Sequence, residues 1–229
     1  MRRVALILAL AVLGAPSASA PAPAQAPAAA PVTLTLDAVV RGLETAYGKM
    51  SDLKGDFTQT AFNKSLNQTI PAHGTMYMKR GGKLRWEYVE PTPQEIVSDG
   101  KTLWVYTPSL NQVNVGDAPE ALAGPAGSFL AGLGRVREHF HVRFLNPAQP
   151  RADDGTVVLH LTPKQPQPTM TRLLLSLDPR GWEVRRAVVY DQFDNTVTMQ
   201  FDKLTVNSGL GDALFTFVPP RGAATVPLR

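Results

Sequence analysis

Between Gly74 and Val115 the chain reads GTMYMKRGGKLRWEYVEPTPQEIVSDGKTLWVYTPSLNQVNV, short β-forming runs punctuated by turn signals. Met76–Lys79, Leu84–Glu90, Gln94–Val97 and Thr102–Thr107 are the runs. Arg80-Gly81-Gly82-Lys83, Pro91-Thr92-Pro93 and Ser98-Asp99-Gly100-Lys101 separate them. Gly-Gly and Asp-Gly supply the positive φ of tight hairpins, and proline cannot donate inside a ladder. This spacing predicts an antiparallel meander with large side chains on at least one face. Trp86 and Trp104, two of the three tryptophans, lie within it.

The same grammar recurs outside this stretch. Asp56–Asn63 reads as a strand with Phe57 and Gln59 on one face, followed by a polar loop over Asn63–Ile70. From Phe140 the strands resume: Phe140–Leu145, Val157–Pro163, Thr171–Leu177, Val184–Tyr190, Val197–Leu204 and Leu214–Val218. About eleven strands in one sheet are more than a flat open sheet tolerates without curling. The expected fold is therefore mainly β (α+β), a single strongly curved antiparallel sheet with helices on its concave side.

Two helical regions are expected. Leu36, Val39, Val40, Leu43, Ala46, Tyr47 and Met50 share a face at helical spacing, and Thr35 or Asp37 can cap that helix. Between Asp117 and His139, Ala118–Ala123 and Ser128–Leu133 read as short helices broken by Gly124-Pro125 and Gly134. Such breaks suit a movable flap better than a rigid core element.

Met1-Arg2-Arg3 followed by the apolar run Val4–Gly14 and small residues is a secretory signal pattern. Cleavage is expected between residues 20 and 24, giving residues 1–24 as signal peptide and 25–31 as a Pro/Ala tether. Residues 32–229 form one domain. Subtracting Arg2 and Arg3 from 23 basic residues leaves 21 against 19 acidic, so the folded domain is nearly neutral. No basic run interleaves with aromatics, so nucleic acid is not an expected partner. Cysteine is absent, which excludes disulfides and a lipid-modified N-terminal cysteine. The expected product is a soluble exported protein.

Catalytic signatures are missing. His139-x-His141 places two imidazoles close together but lacks further ligands at a metal-site spacing. Asp153-Asp154 and the trio Asp191, Asp194 and Asp202 sit at turns and edges, where acidic residues are ordinary. Ser98 and Ser128 have no G-x-S-x-G frame. No enzyme, cofactor or metal site is expected.

The order of motifs resembles the periplasmic outer-membrane lipoprotein carrier family, LolA. The matching residues are Lys79-Arg80, Leu84-Arg85-Trp86, Pro91, Ser98-Asp99-Gly100-Lys101, Leu103-Trp104-x-Tyr106 and Gln112-Val113. Asp56-Phe57-Thr58-Gln59, Leu161-x-Pro163-Lys164 and Phe215-x-Phe217-x-Pro219-Pro220-x-Gly222 extend the match over most of the chain. The resemblance implies an incomplete β-barrel with an N-terminal helix and a short-helix lid over an apolar cavity. It further implies a monomeric periplasmic chaperone that binds the acyl chains of lipoproteins and delivers them to the outer membrane. Loading would come from an ATP-driven inner-membrane release transporter, and unloading would go to an outer-membrane lipoprotein receptor. A same-fold lipid or lipoprotein sensor, or a carrier of another envelope lipid, is the alternative.

Leu84, Trp86, Tyr88, Ile96, Leu103, Trp104, Phe129 and Leu130 are the candidate cavity residues; taken singly, each is equally compatible with ordinary sheet core. A Lys-Arg-Gly-Gly-Lys tip is ordinarily a solvated hairpin. By the resemblance, Arg80 is instead a latch whose fixed donors meet the backbone carbonyls of the lid. The family usually has proline after this arginine, where this chain has Gly81.

Overall fold

The β-rich pattern folds into one twelve-stranded sheet in a computed structural model that describes residues 34–121, 133–166 and 169–228. The strands are β1 Asp52–Asn63, β2 Gln68–Lys79, β3 Lys83–Glu90, β4 Gln94–Asp99, β5 Thr102–Thr107 and β6 Gln112–Asp117 in the first half. The second half supplies β7 Phe140–Phe144, β8 Val157–Pro163, β9 Arg172–Leu177, β10 Val184–Tyr190, β11 Thr196–Val206 and β12 Ala224–Pro227. Their order is β12-β6-β5-β4-β3-β2-β1-β11-β10-β9-β8-β7, antiparallel except for the β12–β6 pair. The sheet is curved and open, with β7 and β12 as its edges. The signal and tether segments lie outside the described residues, and so does 122–132 in the expected flap.

Turn chemistry fixes the meander. Asp99 Oδ1 accepts from the amides of Lys101 and Thr102, both at 2.8 Å, which closes the β4–β5 turn. The fully buried Ser98 donates to the Gly82 carbonyl and accepts from the Gly100 amide, both at 3.0 Å. This packs the β2–β3 and β4–β5 turns together. A Cβ on Gly100, whose φ is 94°, would lie 2.0 Å from the Gly81 carbonyl oxygen. The Ser-Asp-Gly motif is thus a structural knot between two hairpins.

Three elements differ from the sequence pattern. The polar stretch after Asn63 is only a four-residue turn, residues 64–67: β2 begins at Gln68, which pairs with Asn63. Pro71 is tolerated because this end of β2 has β1 on one side, with β3 joining only from His73. Leu214–Val218 is not a strand. Asp212–Phe215 forms a 3-10 turn against β3 and β4. Lys79 Nζ at 2.6 Å and Lys83 Nζ at 2.9 Å hold Asp212 there. Finally, Ala224–Pro227 adds a parallel edge strand to β6 that no periodicity announced.

Helix α1, Leu36–Lys49, begins where Thr35 Oγ1 accepts from the Ala38 amide at 3.2 Å. Its buried Val39, Val40 and Leu43 join one core cluster with Leu53, Phe57 and Met76 of the sheet. Each such side chain contributes about 1.5–3 kcal/mol by leaving water. The helix therefore belongs to the inner face of the sheet.

Candidate functional site

Period-two alternation sends Leu84, Trp86 and Tyr88 of β3 to one face. The register carries that face across the meander: Trp86 pairs with Ile96, Ile96 with Val105, and Ser98 with Leu103. Phe57 of β1 sits at its centre, with its ring centroid 4.7 Å from Trp86 and 4.8 Å from Tyr88. Phe201 approaches Trp86 edge-on at 6.4 Å. Leu84 and Trp86 are 7% and 8% exposed, whereas Tyr88 and Ile96 are half-buried. The Tyr88 hydroxyl donates to Gln59 Oε1 at 3.0 Å, and burial raises its pKa. The result is an aromatic and aliphatic wall that is sealed near α1 and more open toward Tyr88 and Ile96.

Of the eight candidate wall residues, the structure brings together Leu84, Trp86, Tyr88, Ile96 and Leu103. Trp104 lies on the opposite face, because Leu103 and Val105 point inward and the residue between them cannot. There Trp104 and Tyr106 meet Phe217, with ring centroids 6.2 and 5.8 Å away. Val97, Val113 and Phe215 are fully buried outside the main cluster, so the C-terminal segment gives the outer face its own small core. Phe129 and Leu130 lie outside the described residues. Sequence reasoning missed Phe57, Met76 and Phe201 as wall residues. Phe57 was findable, since it stands two positions before Gln59 in a strand already recognised.

Arg80 occupies the β2–β3 turn and reaches α1. Its Nε donates to the Met50 carbonyl at 2.7 Å, Nη2 donates to the Gly48 carbonyl, and its backbone amide donates to the Ser51 carbonyl at 2.9 Å. The guanidinium thereby satisfies carbonyls that a helix terminus leaves without partners, at the negative end of the helix dipole. Gly81 beside it takes a φ of 86°, which proline cannot adopt.

A second arginine holds the other flank. Arg137 Nη2 donates to Asp37 Oδ1 at 2.6 Å, and its amide donates to Glu44 Oε1 at 2.9 Å. Lys164 Nζ in turn donates to the Arg137 carbonyl at 2.6 Å. On the third side, Tyr47 accepts the Val184 amide at 3.1 Å at a β10 irregularity, and burial pushes its phenol up to about 12. Trp182, at a φ of 64°, lies against Gly42 so closely that an added Cβ would be 2.5 Å from its ring. Both arginine clasps are solvent-exposed.

Among the described residues, groups with catalytic potential are otherwise engaged or scattered. Ser98 spends its hydroxyl on the turn. His139 ends a short helix and His141 lies exposed in β7, so they do not share a strand face. His160 has its pKa lowered by burial and by Arg143 and Arg172. Among the described residues no three His, Cys, Asp or Glu side chains cluster as a metal site.

The family model described as "Outer membrane lipoprotein carrier protein LolA" matches residues 48–218. The chain belongs to the LolA family. This LolA-family chain is 31% identical over 174 residues to the outer-membrane lipoprotein carrier protein of Dechloromonas aromatica, covering 76% of this chain and 80% of that protein. It is 29% identical over 187 residues to the corresponding protein of Methylobacillus flagellatus, covering 82% and 88%. Among solved structures, an uncharacterized conserved protein from Thermus thermophilus shares the fold at a TM-score of 0.54 and 12% identity. The match covers 84% of this chain and 98% of that one. No helix among the described residues is long and apolar enough to cross a membrane.

Proposed function

We propose that this protein is a periplasmic carrier that shelters the acyl chains of lipoproteins between the inner and outer membranes. Leu84, Trp86, Tyr88, Ile96 and Leu103 form its acyl-contacting wall, and Phe129 and Leu130 contribute from the flap. The observation that carries this reading is the mismatch in how α1 is held. Its apolar face shares one core cluster with the aromatic wall, and apart from the part-buried Tyr47–Val184 bond the polar ties at its two ends are the exposed clasps of Arg80 and Arg137. Exposed polar ties contribute little net stability and exchange readily with water. A helix so held can be released from the wall without unfolding the sheet.

Magnitudes favour such a competing cover. Burying a methylene is worth about 0.8 kcal/mol, so an acyl chain of about fifteen methylenes would gain on the order of 12 kcal/mol in a perfect cavity. Cargo held that tightly would not be delivered. A helix whose own Val39, Val40 and Leu43 belong to the same core cluster as the wall, and compete with the chain for it, lowers that gain to a reversible range. The protein acts as a binding partner rather than a catalyst. Its loading partner would be an ATP-driven inner-membrane release transporter, and its acceptor an outer-membrane lipoprotein receptor.

The test is displacement of a fluorescent acyl probe from the purified protein by a purified triacylated lipoprotein. Saturable probe binding that lipoprotein reverses, and that its deacylated form does not, supports the reading. Absence of probe binding would remove it.

A further inference from the structure

The hairpins β1–β2 and β10–β11 are neighbours in the sheet through the β1–β11 ladder. Their tips carry an unusual load. Leu66 at the apex of one is 69% exposed, and Phe193 at the apex of the other is 64% exposed. Ile70 and Val197, just behind the apices, are 47% and 37% exposed. Four large apolar side chains thus project into water from one end of the sheet.

The two loops are built to present them. The Leu66 amide donates to Asn63 Oδ1 at 3.0 Å. Asp191 Oδ1 accepts from the amides of Phe193 at 2.8 Å and Asn195 at 2.9 Å. The loops are also tied to each other: the Lys64 amide donates to Asn195 Oδ1 at 2.9 Å, and Lys64 Nζ pairs with Asp194 at 2.8 Å. Arg172 adds a 3.8 Å contact to Asp194 and stacks over the Tyr190 ring at 3.8 Å from its centroid. The charges at this end therefore neutralise one another, and a Tyr–Arg pair stands one step behind the apolar apices.

We propose that this double-hairpin tip is a membrane-contact device that inserts Leu66 and Phe193 into the headgroup–acyl boundary of a phospholipid bilayer. Two protruding points offer far less than the roughly 1,000 Å² that a specific protein interface needs. A bilayer accepts isolated apolar points, because lipid chains close around them. Paired tip charges reduce the cost of approaching a low-dielectric layer, and Tyr with a snorkelling Arg is chemistry suited to the headgroup level. The register adds continuity. Ala61 pairs with both Ile70 and Val197, two residues beyond Gln59 and four beyond Phe57 on the same face of β1. A track that is apolar except at Gln59 thus leads from the tip to the aromatic wall. The contact stands on the tip itself; its use as an acyl entry route rests on the carrier reading above.

The experiment is co-sedimentation of the purified protein with phosphatidylethanolamine–phosphatidylglycerol vesicles at low and high salt, comparing wild type with the Leu66→Ser/Phe193→Ser double variant. Both positions are exposed, so the variant keeps its fold, and an unchanged circular dichroism spectrum and urea midpoint report that it does. Weak wild-type sedimentation that is insensitive to salt, and reduced about tenfold or more in the variant, is expected. Equal sedimentation of the two proteins would overturn the proposal. So would no wild-type sedimentation, loss of binding at high salt, or tip-dependent dimers without vesicles, the last pointing to a second copy as the occupant. Loss of probe binding by wild type with vesicle binding intact would remove the carrier reading and leave the membrane contact standing.

Discussion

Arg80 and Met50, thirty residues apart, are joined where α1 ends: the guanidinium Nε donates to the Met50 carbonyl at 2.7 Å. The same turn carries Lys79 and Lys83, which hold Asp212 of the C-terminal segment on the outer face. One hairpin tip therefore ties the inner cover and the outer strap to the sheet.

Arg80→Leu removes the donors to Met50 and Gly48 while leaving the sheet's buried contacts in place. Because the clasp is exposed, the expected loss of global stability is about 1 kcal/mol or less. Amide hydrogen exchange in the last turn of α1 should rise sharply, with exchange in β1 and β2 unchanged. Lipoprotein uptake should persist and onward transfer should fall. Unchanged exchange in α1 together with normal transfer would show that the clasp does not restrain the cover.

Acid should loosen the outer strap. Asp212 titrates at about 2, down from the ordinary 3.8, because Lys79 and then Lys83 donate to its carboxylate. A folded-state pKa below the unfolded one means the contact stabilises fully above about pH 4. That contribution is lost as pH falls toward 2. Asp212→Asn should therefore flatten the stability profile across this window without changing it at pH 7 relative to pH 5. Urea melts at a series of pH values read the difference, and a parallel profile for wild type and variant would contradict it.

The legible parts of this fold are those where one physical signal dominates. Thr35 and the Val39/Val40/Leu43 spacing defined α1 because capping and helical period agree. By the resemblance Arg80 is expected to meet the carbonyls of a short-helix lid, whereas its described partners, Gly48 and Met50, belong to the end of α1, a pairing that the solvated-hairpin pattern does not reveal. Trp104 was placed with the wall because Leu103, Trp104, Val105 and Tyr106 are apolar on both alternating sets. Nothing local tells which set faces inward when a distant segment covers the other side. Phe215-x-Phe217 reads as a strand for the same reason: its alternation serves packing onto Trp104, Tyr106 and the outer face, not a ladder. The double-hairpin tip was invisible because Asn63–Ile70 has loop composition, and only the Asn63–Gln68 pairing reveals how far the strands extend.

Gly42 is where α1 meets the β9–β10 turn. An added Cβ would lie 2.5 Å from the indole of Trp182, whose own backbone is fixed at a positive φ. Gly42→Val should displace the indole and lower stability by about 1–3 kcal/mol, outweighing the gain from replacing a helical glycine. Tryptophan fluorescence should change with it, since Trp182 is the residue that must move. A variant as stable as wild type with an unchanged spectrum would mean that α1 slides freely at this contact.

The decisive comparison concerns two positions on the inner face, Leu84 and Ile96. Leu84 is 7% exposed in the core cluster, while Ile96 is half-buried against it. If the face is one sealed core, a carboxylate at either position is stranded and both variants lose stability heavily. If the face grades from core into acyl-contacting wall, the two substitutions should separate. Leu84→Glu should then cost about 3 kcal/mol or more, because its carboxylate has no route to water. Ile96→Glu should cost about 1 kcal/mol, because its carboxylate can reach water, yet it should abolish acyl-probe binding by placing charge where the chain lies. Denaturant melts and probe titrations on the two variants give all four numbers. Equal destabilisation with probe binding intact per folded molecule would make the aromatic wall a core and nothing more.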